Sequence, residues 1–466
     1  MPKSLKSNLK SCTICVQSWL RKDNFTHNIY SCLIKFFNQN NMKKRLLTTL
    51  FALAVLTVFA QKKLIYCGTL IDGVSNAAKS EMTIVVEKNK IIALQNGYQN
   101  PQTGDEVIDL KNKTVMPGLI DLHVHIESET SRDAAQKRLG MNMADVAFEA
   151  QQNAKTTLMA GFTTVRDLGG STVNIALRNA INKGIVIGPR IFTSGKTIAT
   201  TGGHGDPTNG WRPDVTFPEN FDDGVVNSPE DARRAVRQRY KDGSDCIKIT
   251  ATGGVLSIAK SGKAPQFMQD ELDMIVKTAN DYGFHVAAHA HGAEGMKRAI
   301  RAGVRTIEHG TLMDDECIKL FIEKGTYYVP TIIAGRSSAD SAKIPGYYHP
   351  FVVVKALEIG PQVQKTFAKA YKAGVKIAFG TDAGVFKHGK NALEFQYMLE
   401  GGMPVMESLK SATMVAAEVL DMKAEIGSLE AGKIADIIAT EANPLTDVKT
   451  LMNVVFVMKE GVVYKK

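Results

Sequence analysis

From about residue 160 onward, the chain repeats a local pattern in which a helical stretch ends at glycine and a short β-rich run follows at once. Examples are Gly161 before Phe162–Val165 and Gly283 before Phe284. Glycine commonly ends helices because it adopts the left-handed conformation of the C′ position without steric cost. Helices that alternate with short strands build parallel sheets. The repeat therefore predicts an α/β fold.

Eight strands of this kind can be counted over roughly 300 residues, which predicts a closed (β/α)8 TIM barrel at residues 116–420. They end near His125, Asp167, Ser194, Thr250, His291, Gly310, Thr331 and Asp382. A doubly wound open sheet is the alternative, but no glycine-rich phosphate loop supports it. Residues 61–115 and 421–466 are β-rich without this repeat, so we expect the two ends of the chain to pair into one small β-sandwich.

The N-terminal 60 residues differ from the rest in charge and hydropathy. The chain carries a formal net charge of +10, of which +8 lies in residues 1–60. Met42–Arg45 followed by the apolar run Leu46–Ala60 reads as a signal peptide at residues 42–60. Residues 1–41 are then a non-native or disordered extension, with Met42 as the true initiator. The alternative is a genuine N-terminal tail with an internal anchor.

These features predict a protein that is exported to the periplasm or secreted, with no stable membrane insertion once the signal is removed. The body of the chain has a net charge of only +2, so its charge gives no case for binding nucleic acid. Cys67, Cys246 and Cys317 are too scattered to form a disulfide framework. A homo-oligomer is left open.

Potential metal ligands lie at the ends of several predicted strands. His123 and His125 end an apolar run, and side chains at i and i+2 of a strand project to the same side. This pair alone is weak evidence for a metal site, since two histidines on a strand often have no metal role. Four more groups end later strands, namely Lys248, His289, His309 and Asp382. Because a barrel gathers the carboxyl ends of its strands at one face, the six side chains are expected to meet there.

Over about residues 62–466 the chain resembles the amidohydrolase superfamily, and within it the binuclear enzymes related to Xaa-Pro dipeptidases and imidazolonepropionase-like hydrolases. The resemblance rests on Gly68–Gly73, Pro117–His125 and Gly427–Asp436. It implies His123 and His125 as ligands of one metal ion and His289 and His309 as ligands of the other. It further implies that Asp382 binds the buried ion and that Lys248 bridges both.

A lysine can bridge two cations only if it loses its positive charge. A buried lysine has a lowered pKa and can react with carbon dioxide, which gives an anionic carbamate with two oxygen ligands. The cofactors expected are therefore two divalent ions, with Zn²⁺ preferred, and a carbamate on Lys248. The alternative is that Lys248 is an ammonium paired with a carboxylate.

Such a site would hold a hydroxide between the ions to attack an amide carbonyl, and Asp382 would carry the proton from this water to the leaving amine. Asp382 could instead cap a helix. His204, in the long loop 196–227, is expected by resemblance to bind the scissile carbonyl or the substrate carboxylate. His291 shares a face with His289 and is expected to touch substrate or support a ligand. Arg212 is a candidate for the carboxylate, although an exposed loop arginine is more often simply solvated.

The predicted function is a metal-dependent hydrolase that cleaves amide bonds, acting as a dipeptidase on small peptides. Hydrolysis of a cyclic amide or an imidazolone-like molecule is the first alternative. A non-catalytic scaffold is the second, and it is disfavoured because none of the six ligand positions is lost. A mononuclear deaminase or ring-opening hydrolase of the same fold is a third alternative. Lys248 argues against it, because a site with one metal ion does not need a bridging anion.

Overall fold

The computed structural model of the protein describes residues 61–212, 214, 220 and 222–466, with only the backbone given for Ala135 and Arg138. Within this part, Gln61–Lys466 form one compact unit. The predicted extension at residues 1–41 and the predicted signal peptide at residues 42–60 lie outside the described residues.

Both ends of the described chain meet in one mixed sheet. Its strands are β1 (Lys62–Leu70), β2 (Lys79–Glu87), β3 (Lys90–Asn96), β4 (Glu106–Pro117), β12 (Ile437–Thr440), β13 (Val454–Lys459) and β14 (Val462–Lys465). Strand β4 pairs antiparallel with β12, and the order across the sheet is β14-β13-β12-β4-β1-β2-β3.

The pairing of the two ends was expected, and the strand pairings join all seven strands in one sheet. That this sheet forms a β-sandwich stays a prediction. An isolated bridge between Lys90 and Ile434 links the start of β3 to the segment before β12. This contact brings distant strands of the sheet together around a single apolar core that includes Ile84 and Phe456.

The middle of the chain forms parallel strands in the predicted order. One sheet runs β5-β6-β7 and another runs β11-β10-β9-β8. Single parallel bridges connect the segments between them, namely Ile198 to Ile249, Tyr328 to Ile377 and Val124 to Ala383. The strands are β5 (Leu119–Val124), β6 (Phe162–Asp167), β7 (Arg190–Thr193), β8 (Ile247–Thr250), β9 (Val286–Gly292), β10 (Thr306–Leu312) and β11 (Tyr327–Val329).

This order of contacts is the one that a (β/α)8 barrel requires. The eighth predicted strand, which ends at Asp382, appears as isolated bridges to its two neighbours rather than as a continuous strand. Its backbone leaves the extended conformation at Asp382, whose φ of 62° lies in the left-handed region. Mixed α/β structure with parallel strands is therefore established for residues 119–383.

Helices separate these strands, and several end at glycine as predicted. Gly303 and Gly325 adopt left-handed φ angles of 98° and 69° at the ends of their helices. The helices are α1 (Ala134–Gly140), α2 (Met143–Met159), α3 (Val173–Asn182), α4 (Pro229–Asp242), α5 (Gln269–Asp281), α6 (Ala293–Ala302), α7 (Asp315–Lys324), α8 (Ile332–Ala342), α9 (Pro350–Lys372), α10 (Leu393–Glu400), α11 (Val405–Ser411) and α12 (Met414–Val419), with a 3₁₀ helix at Val448–Met452.

Helices α8 and α9 follow β11 and pack closely against each other. A Cβ atom on Gly360 would lie 2.5 Å from the carbonyl oxygen of Gly335, so the two backbones approach at a point where no side chain fits. In the described part of the chain, none of the helices combines the length and apolar composition needed to cross a membrane.

Candidate active site

A cavity of about 280 Å³ opens at the carboxyl ends of the parallel strands. All six predicted metal ligands line it, together with two other predicted site residues. These are His123, His125, Lys248, His289, His309 and Asp382, with His204 and His291. The tertiary structure thus brings together side chains that are up to 259 positions apart in the sequence.

The tightest group of potential ligands is formed by His123, His125 and Asp382. The Asp382 Oδ1 atom lies 3.5 Å from His123 Nε2 and 3.2 Å from His125 Nε2. Lys248 Nζ lies 3.3 Å from the same nitrogen of His123. Among the described residues, these two histidines and Asp382 have their ligand atoms within 4.8 Å of one another. The donor set of two imidazoles and a carboxylate suits a divalent ion such as zinc.

Hydrogen bonds hold the other nitrogen of each ring. His123 Nδ1 lies 2.9 Å from Glu308 Oε2, and His125 Nδ1 lies 3.0 Å from the carbonyl oxygen of Gly169. His309 Nδ1 lies 2.7 Å from Thr331 Oγ1. Where Nδ1 carries the proton and donates it to an oxygen, the Nε2 lone pair is left for a metal. The three rings are therefore oriented as metal ligands.

Glu308 belongs to a buried charge network. Its Oε1 atom accepts a hydrogen bond of 2.9 Å from Arg166 Nη2, and Arg166 Nε donates to the carbonyl oxygen of Leu122 at 2.8 Å. Both charged side chains are fully buried. The arginine compensates the carboxylate that orients His123. Sequence reasoning did not single out Glu308, although an acid inside an apolar strand was a signal for it.

Asp121 holds two ligand-bearing segments side by side. Its carboxylate accepts hydrogen bonds from His123 N at 3.1 Å, from Thr381 N at 3.0 Å and from Thr381 Oγ1 at 2.6 Å. Asn391 Nδ2 donates a fourth at 2.8 Å. Burial raises the pKa of Asp121 to about 6 in spite of these bonds. This residue, also in an apolar run, was another that sequence reasoning missed.

Burial sets the protonation of the ligands. It lowers the pKa of Lys248 to about 8 and lowers the pKa of His123 and of His309 well below the usual imidazole value. Burial would raise the pKa of Asp382, but its interactions with His123, His125 and Lys248 lower it on balance. Burial would also lower the pKa of His125, but its hydrogen bond with Asp382 and the charge of that carboxylate raise it on balance. The neutral rings of His123 and His309, the ionised carboxylate and a lysine amine with a reduced proton affinity are forms that metal binding and carbamate formation need.

The second predicted ion site is less well defined. The rings of His289 and His309 lie 4.6 Å apart between centroids, and both line the cavity. His289 Nε2 lies 3.2 Å from the carbonyl oxygen of Gly253, so Nδ1 is the nitrogen left for a metal. These two histidines do not join the tight group of ligand atoms described above, and binding of a second ion stays a prediction.

His204 and His291 both face the candidate site. The His204 ring lies 4.4 Å from the His289 ring, and its buried Nδ1 has no hydrogen-bond partner among the described residues. Burial lowers the pKa of His204 to about 3, so the ring is neutral. Thr250 Oγ1, which also belongs to a residue lining the cavity, is likewise buried without a partner. Buried polar atoms of this kind suit contact with a ligand.

His291 is held by Thr311, whose Oγ1 lies 2.9 Å from His291 Nδ1. Its ring stacks on that of His309 at 5.0 Å. His291 therefore contacts a predicted metal ligand and also lines the cavity, so both of its predicted roles stay open.

Arg212 does not line the cavity in this structure. Its side chain is 75% exposed, and its Nη2 atom donates to Asp214 Oδ2 at 3.0 Å. An exposed arginine with an acidic neighbour two residues away needs no substrate to satisfy its charge. The geometry gives no support to its predicted role in binding a carboxylate.

Part of the cavity lining is apolar, and we call it the apolar wall. It comes from helices α8 and α9, from the loop that follows β8 and from Val385. Its residues are Val255, Leu256, Ala334, Gly335, Ala356, Ile359, Gly360, Val363 and Val385. A ligand that binds the metals would therefore place an uncharged group against this wall.

Comparison with known proteins identifies relatives that span most of the chain. A model of the amidohydrolase family matches residues 114–464. A Xaa-Pro dipeptidase, solved with methionine bound in its active site, is 52% identical, with a TM-score of 0.85 and coverage of 87% of this chain and 100% of that chain. The ochratoxinase of Aspergillus niger is 32% identical over 447 residues, which covers 87% of each chain. The imidazolonepropionase of Fusobacterium nucleatum is 25% identical over 394 residues, covering 77% of this chain and 84% of the relative.

Proposed function

Because the chain belongs to the amidohydrolase family and is a hydrolase, we propose that it is a binuclear metal-dependent dipeptidase on a (β/α)8 barrel. The observation that carries the proposal is the meeting of all six predicted ligands in one cavity. The similarity to a Xaa-Pro dipeptidase at 52% identity supports a dipeptide substrate.

The proposed cofactors are two divalent ions, with Zn²⁺ preferred, and a carbamate on Lys248. His123, His125 and Asp382 would hold one ion, and His289 and His309 the other. Bound ions would polarise the scissile carbonyl and lower the pKa of a water molecule to about 7. The lowered pKa of Lys248, about 8, supports the carbamate, because only the free amine reacts with carbon dioxide.

The protein groups have distinct proposed roles. Asp382 takes a proton from the attacking water and delivers it to the leaving amine, which its ionised state allows. His204 binds the carbonyl oxygen or the carboxylate of the substrate. Its ring is neutral, and its buried Nδ1 has no hydrogen-bond partner among the described residues. The apolar wall receives a neutral substrate side chain.

Hydrolysis of a cyclic amide is the second candidate, favoured by the similarity to an imidazolonepropionase. Its 25% identity is well below that of the dipeptidase, which gives the peptide substrate priority. A non-catalytic scaffold is disfavoured, since the ligand set is complete and its rings are oriented by hydrogen bonds.

We also propose that residues 42–60 direct export and are then removed. N-terminal sequencing of the protein secreted from an expressing cell tests this idea. We expect a mature chain that begins near Gln61, whereas a chain that begins before Met42 contradicts both the signal peptide and the assignment of Met42 as initiator.

The function is tested by metal analysis of the purified protein together with a dipeptide library. We expect close to two divalent ions per chain and turnover of dipeptides with apolar residues, with C-terminal amides at least about tenfold slower. Asp382→Asn should lose at least about 10²-fold in rate, with its metal content measured in parallel. Hydrolysis confined to imidazolones or cyclic imides would overturn the dipeptidase but leave the hydrolase. Absence of metal and of hydrolysis would overturn both.

A further inference from the structure

The loop that follows β8 lies directly over the candidate active site. Its base is fixed by backbone hydrogen bonds, from Gly253 N to Ala264 O at 3.0 Å and from Gln266 N to Ala251 O at 3.0 Å. Between these two bonds the loop projects toward α9. We call residues 253–264 the β8 loop.

The β8 loop contacts the site in three ways. The carbonyl oxygen of Gly253 accepts a hydrogen bond from His289 Nε2 at 3.2 Å. Gly254 makes room for His204, because a Cβ atom there would lie 2.3 Å from the ring. Val255 and Leu256 form part of the apolar wall. Movement of this loop would therefore disturb a ligand, a candidate catalytic residue and the substrate wall together.

One buried lysine holds the tip of the loop. Lys355 of α9 is 4% exposed, and its Nζ donates to the carbonyl oxygens of Gly254 at 2.8 Å, Ser257 at 2.5 Å and Ala259 at 2.9 Å. An ammonium has three protons, so these carbonyls use all of them. In the described part of the chain, no carboxylate forms an ion pair with Lys355. The loop carbonyl oxygens are therefore the groups that stabilise its positive charge.

We propose that Lys355 is a positioning residue that holds the β8 loop closed over the metal cavity and so couples helix α9 to substrate affinity. Lys355 does not itself line the cavity, and it acts through the loop. Ala356, Ile359 and Val363 of the same helix line the cavity. The helix thus contributes to the wall directly and holds the loop residues of the wall, Val255 and Leu256, through Lys355.

A second link between the loop and the helix is weaker. Lys263 Nζ lies 3.3 Å from Glu358 Oε1, but these side chains are 61% and 53% exposed. Exposed ion pairs contribute little because water and salt screen them. The buried lysine with three carbonyl partners is therefore expected to dominate.

Trypsin provides a test that does not depend on catalysis. Lys260 and Lys263 of the β8 loop are exposed cleavage sites. We expect Lys355→Met to be nicked after these two lysines at least about tenfold faster than wild type, as measured by mass spectrometry of the released peptides, because an opened loop fits a protease better. Lys365→Met, on the exposed side of the same helix, is the matched control and should be nicked at the wild-type rate.

The kinetic measurement rests on the proposed hydrolase function. For a dipeptide with an apolar side chain, we expect Lys355→Met to raise KM at least about tenfold, because the substrate loses contact with Val255 and Leu256, and to lower kcat as well, because His204 and His289 lose their contacts with the loop. If Lys355→Met does not fold, Lys355→Gln keeps two donors and should show intermediate nicking and KM. Wild-type nicking in the folded variant overturns the proposal. If the variant is nicked faster but the wild-type protein hydrolyses no peptide, the role of Lys355 in holding the β8 loop is supported and only the proposed dipeptidase function is overturned.

Discussion

At the scale of single residues, the site depends on partners that leave one nitrogen of each imidazole free. His123 reaches the cavity with its Nε2 because Glu308 holds its Nδ1, and Arg166 in turn holds Glu308. Two of the candidate ligands, His309 and Asp382, also have positive φ angles, of 72° and 62°. Non-glycine residues in this region are strained, and such strain persists where the surroundings determine it, as at functional sites.

The first residue-scale prediction concerns Glu308. In Glu308→Gln, the side chain can no longer supply a carboxylate to the His123 Nδ1–H, and the tautomer is no longer fixed. We expect metal affinity to fall about 10- to 100-fold, measured by competition with a chelator. Glu316→Gln, which removes an exposed carboxylate, is the control and should bind metal like wild type. Unchanged affinity in Glu308→Gln would show that His123 is oriented by other contacts.

The second residue-scale prediction concerns Lys248. Lys248→Ala removes the residue proposed to bridge the two ions as a carbamate, so we expect metal content to fall from about two ions per chain toward one or none and turnover to be lost. Metal analysis and dipeptide hydrolysis measure both effects. Lys277→Ala, at an exposed position, is the control. A fully active Lys248→Ala protein with two ions would refute the bridging role.

At the scale of elements, helix α10 supports the site through the start of α8. Glu394 of α10 accepts hydrogen bonds from Ile332 N at 2.9 Å and Ile333 N at 2.7 Å. The residue before them, Thr331, contacts His309. Glu394 therefore fixes the N-terminus of α8, and with it the position of Thr331, which contacts the predicted metal ligand His309.

Burial raises the pKa of Glu394 from 4.5 to about 8. The folded chain then binds a proton that the unfolded chain lacks between about pH 4.5 and 8, so the free energy of unfolding falls as pH rises through that range. We expect Glu394→Gln to remove this part of the pH dependence, measured by urea unfolding with a chelator present. Glu323→Gln, at an exposed position, should keep the wild-type slope. A Glu394→Gln slope equal to wild type would contradict the raised pKa.

At the scale of the whole molecule, the two ends of the described chain depend on each other. Strand β13 contributes to two apolar cores at once, since Val454 and Val457 pack in the core shared with the parallel strands while Phe456 and Met458 pack in the core of the terminal sheet. All four side chains are at most 2% exposed. The C-terminal strands thus join the terminal sheet to the part of the chain that carries the site.

Deletion of residues 454–466 tests this dependence. Each large buried apolar side chain contributes about 1.5–3 kcal/mol, so loss of the four removes a free energy comparable with the total of about 5–15 kcal/mol for a typical domain. We expect the truncated chain to show no cooperative thermal unfolding. Val462→Thr, at a position that is 54% exposed, is the control and should unfold like wild type. A truncated chain with normal unfolding and metal content would show that β13 is dispensable.

The sequence by itself determined the order of the parallel strands and which of them carry the candidate ligands that line the cavity. His123, His125 and Lys248 could be assigned to strand ends because apolar periodicity and glycine at helix ends are local signals. The pairing of the two chain ends followed from their β-rich composition, but their union in one sheet required the contact of β4 with β12 and of Lys90 with Ile434.

Only the tertiary structure decided which side chains support the ligands. Glu308 meets His123 across 185 residues of sequence, and Lys355 meets Gly254 across 101. Arg212, which the sequence places in a long loop beside His204, lies in solvent. Hydrogen bonds between distant segments depend on how helices and loops pack, and no local pattern encodes that packing. The residues that line the cavity as candidate ligands could therefore be predicted, whereas the residues that orient them could not.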